Sequence, residues 1–304
     1  MVVSQAEPVR RWFVLRAVLA LLGLVGLTVW AWWQRPHALS GGWQAQMLPG
    51  AFLALCSLAA YGARFRQVMR LLNIKLTLRE SLRIVSFAVF CQFCVPVGGG
   101  AELAKFLKLR GLAPERRALI SASGVVLEHI IGLLALVATA SVLFAIFRPF
   151  ALTVPPLVVA IVAPTILVLA AMVLLRRQGS TRLDSTQLLA HKSDVVLALG
   201  WSLLMQVLLA AAVYVGSLGW AMNIAYWQIL FVLTTAGVLQ AVPANLLGVG
   251  AADVAGTGLY VALGLSVSHA ILLASLLISY RLLVVLFGGL WELDRARHVM
   301  AGEA

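Results

Sequence analysis

Three formal charges stand where this sequence is otherwise apolar. Glu128 lies inside the run Ala118–Phe147, Arg281 lies inside His269–Trp291, and Asp253 follows residues 195–252, which carry no formal charge. A charge at the centre of a membrane-spanning helix costs on the order of 2.5–3.5 kcal/mol, so it persists only beside a partner or a wet cavity. The simplest arrangements pair Arg281 with Glu128 or with Asp253. Two readings follow. In one, these residues form a buried ion pair that fixes helix register. In the other, Arg281 holds an anionic headgroup or phosphate while Glu128 or Asp253 positions a cation or takes a proton.

Other residues extend the pattern. Glu102 and Lys105 stand three apart beyond Gly98-Gly99-Gly100, either as an ordinary surface pair or as the mouth of a lipid site. The amides of that glycine-rich break are free to receive phosphate oxygens, but the Lys-Ser/Thr of a P-loop is missing and nucleotide binding is not expected. Ser121, Gly124, Glu128, Gly132 and Ala135 recur at helical spacing. Such a stripe lines a cavity or packs closely against another helix. His129 faces about 100° away from Glu128 and reads as a polar packing residue. Arg64, Arg66, Arg70, Lys75, Arg79 and Arg83 read as loop residues that set topology and attract anionic lipid. Cys91 and Cys94 form a C-x-x-C in an apolar run without His, Asp or Lys. No metal, redox pair or cofactor is expected from it.

The elements that hold these residues are set by composition. Of 304 residues, 62% are hydrophobic and 11% are charged, against about 25% charged in a soluble domain. Soluble enzymes and secreted disulfide scaffolds are thereby excluded. The net charge of +12 is read as topology and not as nucleic-acid binding. Six runs approach the ~20 residues a helix needs to cross hydrocarbon: Val14–Trp33, Met47–Ala63, Ala118–Phe147, Phe150–Leu175, Val195–Gly219 and His269–Trp291. Ile84–Val97 and Gln228–Val242 are too short. They end at Pro96 with Gly98–Gly100, and at Pro243, Asn245, Gly248 and Gly250, which predicts two re-entrant half-helices. With the N-terminus inside, every Lys and Arg but Arg35, Arg148 and Arg281 falls on the cytoplasmic side. The expectation is one all-α polytopic domain over 1–304 in the cell inner membrane, with both termini cytoplasmic. An extra span and loop occupy 14–46. Two units, 47–147 and 195–291, repeat in opposite sense, as in transporters that bind their cargo where broken helices meet.

The two motifs together resemble the flippase-like family, the membrane domain found upstream of the catalytic domain in lysylphosphatidylglycerol synthases and also as stand-alone proteins. Pro96, Gly99, Gly100, Glu102, Lys105 and Glu128 resemble its first motif. Pro243, Gly248, Gly250, Asp253, Tyr280, Arg281 and Gly288 resemble its second. The likeness covers roughly Gly62 to Trp291. His129, Asp253 and Leu247 depart from it, standing where the family has Arg, Glu and Gly. The resemblance implies translocation of a lipid with a polar or anionic headgroup, and adds Tyr280 to the site. It implies membrane lipids, anionic or lipid-linked, as partners, and lysyl transfer, if any, by a separate lipid-modifying enzyme. Two alternatives remain: a secondary transporter of a small polar solute, and an intramembrane lipid-linked glycosyl transferase or phosphatase. No nucleophile–base pair or metal cluster supports the last.

Overall fold

The computed structural model describes residues 43–94, 99–112, 118–149, 192–220, 222–239, 245–246 and 249–300. The expected spans Val14–Trp33 and Phe150–Leu175, and the break residues Pro96, Gly98, Pro243, Leu247 and Gly248, lie outside the described residues. The chain is an α-helical protein whose helices suit a membrane. In order they are α1 (Trp43–Leu71), α2 (Leu78–Cys94), α3 (Gly100–Leu112), α4 (Ala118–Phe147), α5 (Lys192–Ser217), α6 (Tyr226–Leu239), α7 (Ala251–Ala262) and α8 (Val267–Met300). Four of them, α1, α4, α5 (with the 3-10 turn Leu218–Trp220 that continues it) and α8, supply stretches of 23 to 29 residues apolar enough to cross a bilayer. Their outward faces carry large apolar side chains, among them Phe52, Ile146, Val196 and Leu286, as a lipid-facing surface requires.

The other four helices are short. At 1.5 Å per residue, α2 is ~26 Å long, α3 ~20 Å, α6 ~21 Å and α7 ~18 Å. Each pair forms a hairpin around a break. After each break the chain resumes helix, so that Lys105 lies in α3 and Asp253 in the first turn of α7. Gly99 adopts φ +96, a left-handed conformation that glycine adopts without steric cost, and its carbonyl accepts the first hydrogen bond of α3 from Leu103. The second break departs from an all-helical chain. Asn245–Leu246 pairs antiparallel with Val249–Gly250.

Both α2 and α6 begin in the same way. Thr77 caps α2, its hydroxyl accepting from the Glu80 amide at 3.2 Å, while Glu80 Oε2 accepts from the Thr77 amide at 2.7 Å. This is a reciprocal capping box, and it explains why α2 starts ahead of the predicted Ile84. Those bonds, the backbone one foremost, hold the Glu80 carboxyl below its ordinary value. At α6 the neutral Gln228 Oε1 accepts from the Ala225 amide at 2.8 Å.

Packing relates the first four helices to the last four by exchange. Helix α1 packs on α5. The α2 contacts with α1, α3 and α8 are matched by α6 contacts with α5, α7 and α4. Position rises along α1 as it falls along α5: Gly50 faces Ala212, the Ser57 hydroxyl donates to the Met205 carbonyl at 2.9 Å, and Gln67 bonds Asp194. The two long helices therefore run antiparallel, crossing near Ser57 and Met205. Two apolar cores result, one around Phe65, Val68, Met69 and Ile84 that also takes in Ala198 and Val284, the other around Val213, Ile229, Val232 and Leu273 that also takes in Ala54 and Phe144.

Candidate functional site

Of the two pairings open to Arg281, the structure forms the one with Asp253. Arg281 Nη1 donates to Asp253 Oδ1 at 2.7 Å, joining α8 to α7. The Asp253 side chain is 7% exposed and that of Arg281 is 23% exposed. Both residues line a cavity of about 180 Å3 at the α1–α5 crossing. Ala54, Leu58, Val89, Met205, Leu209 and Val284 make it largely apolar; Ser57, Tyr61, Gln92, Asp253, Tyr280 and Arg281 give it polar points. Beyond Arg281 and Asp253, a hollow of about 20 Å3 lies among Ala236, Gly256 and Thr257, roughly the space of one water. The ion pair is the partition between the two spaces.

Glu128 does not meet Arg281. Its Oε1 accepts from Arg64 Nη2 and its Oε2 accepts from Lys105 Nζ at 2.6 Å. The three residues come from α1, α3 and α4 and are only 6%, 2% and 1% exposed. The assignment of Arg64 to a cytoplasmic loop is thus corrected, because α1 continues to Leu71 and carries Arg64 on its buried face. A lone carboxylate inside the protein would be strongly destabilising, and two cations offset that cost. Tyr61, one turn before Arg64, lies beneath both cations, with its ring centroid 4.5 Å from the Arg64 guanidinium carbon and 5.4 Å from Lys105 Nζ.

The expected Glu102–Lys105 pair is replaced as well. Lys105 turns inward to Glu128, and Glu102 Oε1 approaches His129 Nδ1 at 3.6 Å, both side chains being well exposed. His129 is therefore an α3–α4 contact at the rim and not a packing residue. The small-residue stripe on α4 is filled by α1. Met69 and Leu72 lie against Gly124, and the Arg64 guanidinium lies against Gly132. The cavity reading of that stripe gives way to close packing, with Gly132 leaving room for the guanidinium. Tyr280 presents its ring to the cavity, but its buried hydroxyl sits between Gly50 and Gly216 without a hydrogen-bond partner. Gly288 lies against the Ser86 carbonyl, where α8 crosses α2.

The arrangement offers one cation and one acid at an amphipathic cavity, and a second, sealed charge centre behind an aromatic wall. Among the described residues, no group of three or more His, Cys, Asp or Glu side chains could hold a metal ion. Arg64 is the partner that sequence reasoning missed. Its signal was the spacing Ser57, Tyr61, Arg64, Val68, which puts it on one helical face with buried residues. No protein-family model, curated protein or solved structure matches this chain.

Proposed function

We propose that this protein is a lipid translocator of the flippase-like kind in the cell inner membrane, binding an anionic or otherwise polar headgroup in the central cavity. The observation that carries the reading is the 180 Å3 cavity itself: its wall is mostly hydrocarbon, and Arg281, held at its edge by Asp253, supplies one cation. Its volume falls below the ~300–1,000 Å3 of sites that enclose a whole ligand. That suits a headgroup whose acyl chains stay in the bilayer.

The antiparallel α1 and α5, with their exchanged packing partners, support an inverted repeat within six crossings, both termini being cytoplasmic. The α2–α3 and α6–α7 hairpins, too short to span ~30 Å of hydrocarbon, support two re-entrant elements. Broken helices at the interface of inverted halves are where secondary transporters bind cargo. The motif resemblance described above adds the lipid class.

The test is reconstitution into liposomes with leaflet-labelled anionic lipid. Losing a charge-assisted contact is worth about 1.5–3 kcal/mol, so Arg281→Gln should slow label redistribution on the order of tenfold or more. A folded Arg281→Gln protein that redistributes lipid at the wild-type rate would refute the site.

A further inference from the structure

The sealed centre holds more donors than its acceptors can use. Both Glu128 oxygens are taken, one by Arg64 and one by Lys105. A guanidinium carries five N–H donors and an ammonium three, and Arg64 Nε is buried with no partner. Buried donors are nearly always satisfied, so an orphan at a doubly cationic site calls for an explanation. The neighbouring acid does not provide one, because Glu102 is turned to the rim and to His129. The Tyr61 ring both covers the two cations and lines the central cavity. One aromatic side chain therefore stands between a surplus of buried donors and the space that Arg281 faces.

We propose that Arg64 and Lys105 form an inner subsite for a phosphate-class oxyanion, reached from the central cavity when the Tyr61 ring turns aside. This deepens the reading above and rests on it for the route of entry. Arg281 makes the first contact, and the oxyanion then passes to the inner pair, whose several N–H donors match its several acceptor oxygens. Glu128 keeps the pair together in the empty state by occupying one donor of each.

The experiment is calorimetric titration of the full chain in neutral detergent with inorganic phosphate, and then in nanodiscs of phosphatidylcholine with and without phosphatidylglycerol. Wild type should bind phosphate, and Arg64→Gln should weaken binding on the order of tenfold, with Arg64→Lys recovering part of it. Lys105→Met, which leaves a balanced Arg64–Glu128 pair, should weaken it similarly; it serves as the second variant if Arg64→Gln does not fold. Tyr61→Leu should speed association. Suppression of phosphate binding by phosphatidylglycerol identifies a lipid headgroup as the source; undiminished binding identifies free phosphate. Wild-type phosphate affinity in folded Lys105→Met or Arg64→Gln overturns the inner subsite. Loss of phosphate binding in those variants, beside a wild-type protein that redistributes no lipid, would keep the subsite and overturn the translocation reading instead.

Discussion

The two halves solve one mechanical problem with opposite charges. In the first, the limb after the break supplies a cation, Lys105, and the long helix supplies the acid, Glu128. In the second, the limb supplies the acid, Asp253, and the long helix the cation, Arg281. The first centre recruits a further cation from α1 and is closed off. In the second, Arg281 pairs with Asp253 and stays partly open to the cavity. The difference teaches where binding is affordable. In the first centre, breaking a pair would leave an uncompensated buried charge, so a ligand there can use only the donors that Glu128 leaves over, whereas Arg281 can take one up directly on the face that Asp253 leaves open.

The sharpest way to break this contrast is to neutralise each acid. Glu128→Gln strands two buried cations and should cost about 3–5 kcal/mol of stability, read from denaturant unfolding in micelles. Asp253→Asn should cost less, about 1.5–3 kcal/mol, because Arg281 can hydrate from the cavity. Equal losses would show that the two centres are energetically alike.

The exchanged junctions give a smaller effect. Where α8 crosses α2, a β-carbon on Gly288 would strike the Ser86 carbonyl; where α6 crosses α4, one on Gly237 would meet the Leu136 side chain at 3.0 Å. A backbone group cannot move aside as methyl groups can. Gly288→Ala should therefore cost about 1–3 kcal/mol and Gly237→Ala distinctly less, by the same unfolding measurement.

The smallest effect lies at the caps. Thr77→Ala should cost about 1 kcal/mol. Because the Glu80 carboxyl is held below its ordinary value, its contribution is present above the unfolded-state value and is lost as pH falls through the depressed folded one. Amide exchange at the start of α2 should therefore gain protection less than α6 does on moving into acid, since Gln228 does not titrate. Glu80→Gln should abolish that difference between the helices.

Much of the architecture was legible because lipid imposes strong patterning. Ala118–Phe147 was delimited without error, and the short apolar runs ending in Pro and Gly marked where the chain breaks. What stayed hidden depended on neighbours far away in sequence. Arg64 looked like one basic residue in a series, since nothing local says that α1 extends to Leu71 or that Glu128 waits across from it. The partner of Arg281 could be narrowed to two acids and no further, because hydropathy places residues in depth but not around the bundle. The charges Lys105, Lys108 and Arg110 in α3 suggest a watery surface, whereas tertiary contacts bury Lys105.

The meeting of Ser57 with Met205 has a last consequence. Counting one turn onward from that contact brings Tyr61 on one side and Leu209 on the other, and both border the central space. At this crossing the two helices offer the space unlike side chains: an aromatic ring from α1, an aliphatic chain from α5. Anything entering that space therefore meets a flat ring on one side and a branched aliphatic on the other, so exchanging the two residues would turn its lateral polarity around without touching either charge centre.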